Sequence, residues 1–410
     1  MVAGRWVDAH MSETTVPTFD KLPIVCLASA GWETDTPVNV HHIMRRLSEN
    51  HPILWVDSQP LRTPSSSRAD LRKVVRRLGT IAGGVRTLRD NMWGITPTSL
   101  PFYGNRRIQR WNDQRLGKQL LRTAASLGFP HFVLWAFLPT AAGLAGTLGE
   151  VLTVYHCVDD YASNPGVDAL AIRALELQLL QTADLVFATS VTLQRNLANR
   201  HAHVVLMPVG VDAMFFASEL AEPEDLLRIS KPRIGFTGAI SSYKVDIDLL
   251  VESATTYPKV SFVLIGPVGA GDPNTKVAEL RKLPNVFLLG SREHRRLPEY
   301  LHGMDVLMLP SANTPTMASS FPAKLFEYFA TGKPVIAIKQ EPLLAYQTLM
   351  ILADSHRGFL DAISIALNDS DSTVSAERIA VARDNMWDRR MELICTEIEA
   401  ALIRKRGGRV

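Results

Sequence analysis

The tightest constraint on the fold is a rhythm. Short apolar runs rich in Val, Ile, Leu and Phe recur between longer amphipathic stretches, and the rhythm starts twice. This is the pattern of strands alternating with crossover helices in a parallel sheet. In the first half it predicts strands at Ile24–Ala28, Ile53–Asp57, Phe132–Trp135, Leu152–Cys157, Leu185–Thr189 and Val204–Met207, with helices over Val38–Asn50, Arg106–Leu127 and Ala169–Thr182. It resumes at Arg233–Thr237, Ser261–Ile265, Val286–Leu289, Val306–Leu309 and Pro334–Ile338. The expected fold class is α/β, with two Rossmann-like, doubly wound parallel-sheet domains.

Residues 1–20 read as a disordered leader, 21–208 as the first domain, 209–232 as a linker and 233–374 as the second domain. A single helix over Ser375–Arg404 is expected to leave the second domain and cross back toward the first, followed by a basic tail. The 410 residues, 46% of them hydrophobic, suffice for two packed cores. Charge is nearly balanced, 44 Lys and Arg against 41 Asp and Glu, which argues against a globally basic nucleic-acid coat. Three widely spaced cysteines suit neither a disulfide framework nor a cysteine-rich zinc site. With no apolar stretch long enough to span a bilayer, a cytoplasmic protein is expected.

The most informative segment is Ser319–Ile338, SSFPAKLFEYFATGKPVIAI. Pro322 suits the first turn of a helix running from Ala323 to Ala330, Gly332 its end, and Pro334 opens a buried strand. Free amides around Ser320 and Phe321 can then hold a phosphate, aided by Lys324. Glu327, one turn beyond Lys324, can accept both hydroxyls of a ribose. The plainer alternative is an ordinary helix start with an i, i+3 Lys/Glu pair.

Lys324-Leu325-Phe326-Glu327-Tyr328 followed by Gly332-Lys333-Pro334-Val335 resembles the nucleotide-sugar motif of the retaining GT-B glycosyltransferases, the glycosyl transferases group 1 family. The likeness extends through YHCVDDY at 155–161, ADLVFATS at 183–190, PVGVD at 208–212, GFTGAI at 235–240, NVFLLG at 285–290 and MWDRR at 386–390. It is most similar to bacterial envelope-polysaccharide members of the teichuronic-acid type. The resemblance implies that Glu327 binds the donor ribose and that Ser320 and Phe321 meet diphosphate and sugar, with Leu325 in the same motif. A second glutamate usual in the family stands eight positions earlier; here it is Ser319.

The glycines of Gly235–Lys244 permit close backbone approach to a diphosphate at Gly238 and Ala239, where the family often carries Arg after the second glycine. Lys244 and Lys324 remain as cations for a departing diphosphate, although a solvated loop lysine is the alternative for Lys244. Gly266-Pro267 and the stretch ending at Arg292 are expected to wall the nucleobase. On the first domain, the loop with Gly31 and Trp32, the pair His41-His42 and Trp135 are candidate acceptor residues. For the histidines, capping and packing is the competing account.

His156 and Asp160 in YHCVDDY are candidate catalytic groups; a satisfied loop network is the alternative. Metal is disfavoured there because adjacent Asp159 and Asp160 side chains diverge in an extended chain. The histidine that many retaining relatives carry after the fourth strand is replaced by Trp135–Pro139.

The expected activity moves a sugar from a nucleoside-diphosphate sugar to a hydroxyl on a glycan, a lipid-linked intermediate or a small molecule. The resemblance implies that it proceeds with retention and without metal or further cofactor, the departing phosphate oxygen taking the acceptor proton. The basic region Arg68–Arg122 is either a solvated face or a docking surface for anionic membrane, placing the enzyme peripherally at its inner face. Nucleic acid is not expected as a partner, since aromatics are not interleaved with the basic run. The other readings are a sugar-nucleotide epimerase or hydrolase on the same fold and a non-catalytic nucleotide-sugar-binding scaffold.

Overall fold

A computed structural model describes residues 18–34, 37–58, 84–97, 105–217, 220–269, 272 and 275–407. Most of the expected leader and the basic stretch from Arg68 up to residue 83 lie outside the described residues.

The first sheet contains β1 Ile24–Leu27, β2 Ile53–Val56, β3 Arg86–Arg89, β4 Met92–Ile95, β5 Val133–Ala136, β6 Leu152–Cys157, β7 Leu185–Ala188 and β8 Val204–Leu206. Their order is β3-β4-β2-β1-β5-β6-β7-β8, and all neighbours are parallel except the edge pair β3 and β4. The second sheet contains β9 Arg233–Thr237, β10 Ser261–Ile265, β11 Val286–Gly290, β12 Val306–Leu309, β13 Val335–Ile338 and β14 Ile351–Ala353. It is wholly parallel in the order β11-β10-β9-β12-β13-β14. The fold is therefore α/β with two doubly wound sheets, and the predicted strands fall within a residue or two of those observed. In each sheet the order reverses around the first strand, β1 or β9, so the crevice beyond its carboxyl end is the natural ligand site.

Both faces of each sheet are covered, which is why the strands read as unbroken apolar runs. Val25 and Leu27 enter one core with Leu54 and Val56. Ile24 and Cys26 enter the opposite one with Ile53 and Trp55, as the two-residue period of a strand requires.

Between the sheets, Val211, Phe215, Leu226 and Ile229 are buried with the core of the second domain, so the segment after β8 packs rather than hangs free. The single terminal helix expected over Ser375–Arg404 is two helices, Ser372–Asp384 and Trp387–Gly407. The break has a backbone cause. The amide of Val211 donates to the Asn385 carbonyl at 3.0 Å and that of Trp387 to the Val211 carbonyl at 3.1 Å, so the returning chain is extended beside the outgoing one. Beyond the break Trp387, Ile394, Ile398 and Leu402 are buried in the core of the first domain. No described helix is long and apolar enough to cross a membrane.

Candidate functional site

At the end of β9 the chain turns through Gly238, with φ +128°, and at the end of β10 through Gly266, with φ +147°. Both values suit glycine alone. A Cβ on Gly266 would sit 2.0 Å from the Gly238 carbonyl oxygen, and one on Gly238 would sit 2.6 Å from Lys324 Nζ. The missing side chains let two turns and a lysine converge. Lys324 Nζ lies 4.5 Å from the Phe236 ring centre. Burial lowers its ammonium to about 8; the like charge of Lys244 adds to this and Glu327 opposes it. The charge of Lys244 thus reaches Lys324 beside the crevice, with half-buried Ala239 next to Gly238. Pro267 takes a backbone role, its carbonyl accepting from the Ile240 amide at 2.9 Å.

The helix expected from Ala323 begins later, at Leu325, with Lys324 as its N-cap. A turn closes first, the Leu325 amide donating to the Pro322 carbonyl at 2.9 Å. Preceding it is a short helix, Pro315–Ser319, capped by Thr314. The loop between them is stitched to the first domain. Ser190 Oγ donates to the Ser319 carbonyl at 2.6 Å, Ser320 Oγ to Asp159 Oδ1 at 2.6 Å and Thr316 Oγ1 to the Ser163 carbonyl at 3.0 Å. Ser319 turns its own hydroxyl back to the Thr316 carbonyl, 3.3 Å away.

Several candidate residues are placed elsewhere than expected. Leu325 is fully buried in the second core, and Phe321 turns its ring to Phe326 and Tyr346, so their side chains serve packing. Arg292 is held by Asp225 at 2.7 Å and by the Tyr300 hydroxyl at 2.8 Å. Its guanidinium is committed within the second domain. The side chain that meets Glu327 is His294, whose Nε2 lies 3.2 Å from Glu327 Oε1. Burial opposes charge on His294, but the hydrogen bond and charge of Glu327, with Asp212, carry its pKa upward on balance.

On the first domain, His156 is fully buried, stacked on Phe137 with centres 4.9 Å apart, and burial drives its pKa down to about 3. Burial disfavours its charged form and the aromatic stack encloses the ring, so its place is in the packing of the first domain. Trp135, also fully buried, lines the same aromatic stack, so its side chain serves packing rather than an acceptor surface. His41 is structural too: Nδ1 accepts from the Val38 amide at 3.1 Å, leaving Nε2 to donate to the Gly31 carbonyl at 2.9 Å. It holds the Gly31-Trp32 loop, which Asp57 steadies by accepting from the Trp32 amide at 3.1 Å.

Asp160 is a further correction. Its Oδ2 accepts from Ser163 Oγ at 2.5 Å and lies 3.5 Å from Arg173, inside its own domain. Asp159, which no sequence signal separated from its neighbour, faces the second domain instead. Its carboxyl is raised by burial, with Lys244 and the Ser320 hydroxyl pulling it back.

His42 belongs to a different group, where the chain crosses between domains. Its ring lies parallel to Trp387 at 5.0 Å and edge-on to His294 at 5.3 Å. Arg46 is paired with Asp212 Oδ1. Among the described residues His42, Asp212 and His294 are the group whose ligand atoms lie near enough to hold a metal ion.

The arrangement can bind an anion between two lysines and a glycine turn, with a carboxylate one helical turn away and another facing from the opposite domain. Residues 231–369 match the family model described as glycosyl transferases group 1. A protein of Bacillus subtilis (strain 168), named for teichuronic acid biosynthesis as a glycosyltransferase, is 26% identical over 287 residues, 65% of this chain and 71% of its own. Among solved structures, sucrose-phosphate synthase from Thermosynechococcus elongatus superposes with TM-score 0.67 at 15% identity, over 95% of this chain and all of that one. Anabaena HepE in complex with UDP and glucose superposes with TM-score 0.64 at 16% identity, over 92% of this chain and 99% of its own. The second domain thus matches the group 1 glycosyl transferases, and the architecture of the whole chain is the GT-B fold that it shares with these solved structures.

Proposed function

We propose that the protein transfers a sugar from a nucleoside-diphosphate sugar to a hydroxyl acceptor, with retention and without a metal at the diphosphate. The observation that carries this reading is Lys324 Nζ set against the Gly238 turn, where it meets the Gly266 turn, with Lys244 near enough for its charge to act on Lys324 and Glu327 one turn beyond. The lysines and turn amides stabilise charge as the diphosphate departs, the largest demand of the reaction. Glu327 Oε1 is engaged by His294, leaving the other oxygen for a ribose hydroxyl. UDP in the HepE complex and the envelope role in the name of the Bacillus relative favour a uridine donor and an envelope glycan or lipid-linked acceptor.

Calorimetry against UDP, GDP, ADP, dTDP and their common sugars, in the presence of a chelator, tests the donor. One nucleotide bound tightly supports the reading; no binding across the panel overturns it.

The helix Arg106–Ser126 supports a peripheral membrane location. Arg107, Trp111, Arg115 and Lys118 are exposed at helical spacing on one face, and Arg115 lies 5.3 Å from the Trp111 ring centre. Each basic residue near an anionic surface contributes about 1 kcal/mol. Reversing Arg107, Arg115 and Lys118 to Glu should release the protein from anionic vesicles in sedimentation. Equal partition of variant and parent would remove the membrane from this proposal.

A further inference from the structure

Where the two chain crossings meet, three ligand-type side chains come from three separate parts of the molecule. His42 lies on the helix Asn39–Leu47 of the first domain, Asp212 on the crossing segment and His294 on a turn of the second domain. His42 Nδ1 is 3.5 Å from Asp212 Oδ2, and His294 Nδ1 is 4.0 Å from the same oxygen. All three ligand atoms lie within 4.8 Å of one another. We infer that His42, Asp212 and His294 form a site for one divalent transition-metal ion of the zinc class, joining the two domains at their crossing.

Metal–ligand bonds of about 2.0–2.1 Å in a tetrahedron put ligand atoms about 3.3 Å apart. The observed spacings reach that by small side-chain rotations. Two imidazoles and one carboxylate suit a borderline-soft ion such as zinc, while magnesium and calcium prefer all-oxygen sets.

The neighbours are those an ion site needs. His294 keeps Nε2 on Glu327 at 3.2 Å, which orients the ring with Nδ1 toward Asp212, as carboxylates behind ligating histidines do. Arg46 takes Asp212 Oδ1 and leaves Oδ2 to the histidines. Its charge offsets that of Asp212, and Glu327 restores a negative setting. A cavity of about 420 Å³ lined by Arg46, Asp212, Met386 and Trp387 adjoins the group, giving an entry path and room for a water as fourth ligand. The ion would fix the angle between domains, whereas neutralising the donor diphosphate stays with Lys244 and Lys324. Glu327 bonds His294 and is the carboxylate proposed for the ribose, so occupancy of the ion site and the setting of that carboxylate are linked.

The test needs only ions and the full chain, and it is independent of the donor. After chelation, the protein is titrated with Zn²⁺ by calorimetry and with Co²⁺ by visible absorption. One equivalent should bind, with the intense tetrahedral bands of cobalt. His42→Ala and His294→Ala should each weaken binding about 100-fold or more, and Glu327→Gln about 10–100-fold as an outer partner. Asp212→Asn, which keeps volume, serves should a histidine variant fail to fold. His201→Ala, in the separate pair of half-buried His201 and exposed His203, should leave binding intact. Absence of one-to-one binding, binding unchanged in the ligand variants, or binding lost in His201→Ala would each overturn the assignment.

Discussion

At the residue scale the site rests on a few charges whose surroundings set their strength. Glu327→Ala removes the proposed ribose carboxylate. Losing hydrogen bonds to a charged group, each worth about 1.5–3 kcal/mol, should weaken donor binding about 10–100-fold while the melting temperature stays close to that of the parent. Unchanged affinity in calorimetry would show that the ribose is held elsewhere. Lys324 gives the site a pH limit. Its pKa is lowered to about 8, so its charge is present below that value and is lost as pH rises through it. Donor affinity should hold up to about pH 8 and then fall by at most about tenfold per unit. In Lys324→Met this alkaline limb should disappear, and affinity should be lower throughout.

Lys324 and Glu327 were legible as a pair through the resemblance of the motif around them, since their spacing alone fits an ordinary helix start, and the structure sets Lys324 at the N-cap with Glu327 in the first turn. Asp159 and Asp160 were not separable, since which of two adjacent carboxylates crosses to Ser320 depends on where the second domain sits. The same holds for His41 and His156. A histidine in an apolar run signals either a site or a packed ring, and only the aromatic stack and backbone partners around them decide for packing.

Elements bring those residues together through their ends. Parallel neighbours β9 and β10 end level, Thr237 beside Ile265, so their following glycines meet. Gly266→Ala would place a methyl carbon 2.0 Å from the Gly238 carbonyl at a φ of +147°. The backbone strain alone costs about 1–3 kcal/mol, and relieving the clash means moving the Gly238 turn. The expected outcome is a lower melting temperature together with lost nucleotide binding. Full affinity at parental stability would mean that this turn is not part of the donor site. Strand positions were readable from the sequence because burial on both faces leaves an unbroken apolar run. Edge strands β3 and β14 carry a weaker signal, with half-buried residues such as Arg86, Leu88 and Ile351.

On the scale of the whole molecule, the last helix binds the halves into one unit. Ile394 and Ile398 come from the C-terminal end of the chain yet are fully buried in the core of the first domain. Ile398→Ala should therefore destabilise that domain by about 2–5 kcal/mol, read as a shifted denaturation midpoint. A change below about 0.5 kcal/mol would argue that this helix is not docked there in solution. Cross-domain bonds from Ser190, Asp159 and Ser163 to one donor-side loop make that loop sensitive to how the domains meet.

What the amino-acid sequence determined by itself was local and periodic: the two runs of strands and helices, the glycine turns and the Lys324 and Glu327 pair. Each is written within a few residues because backbone geometry and burial act over one turn or one strand. What only the tertiary structure decided was partnership across distance: Asp159 with Ser320, His294 with Glu327, Arg292 turned to Asp225, and the histidine and aspartate group at the crossing. Those contacts join residues tens to hundreds of positions apart, and a side chain's role there is set by which neighbour the packing of whole domains brings within hydrogen-bond reach.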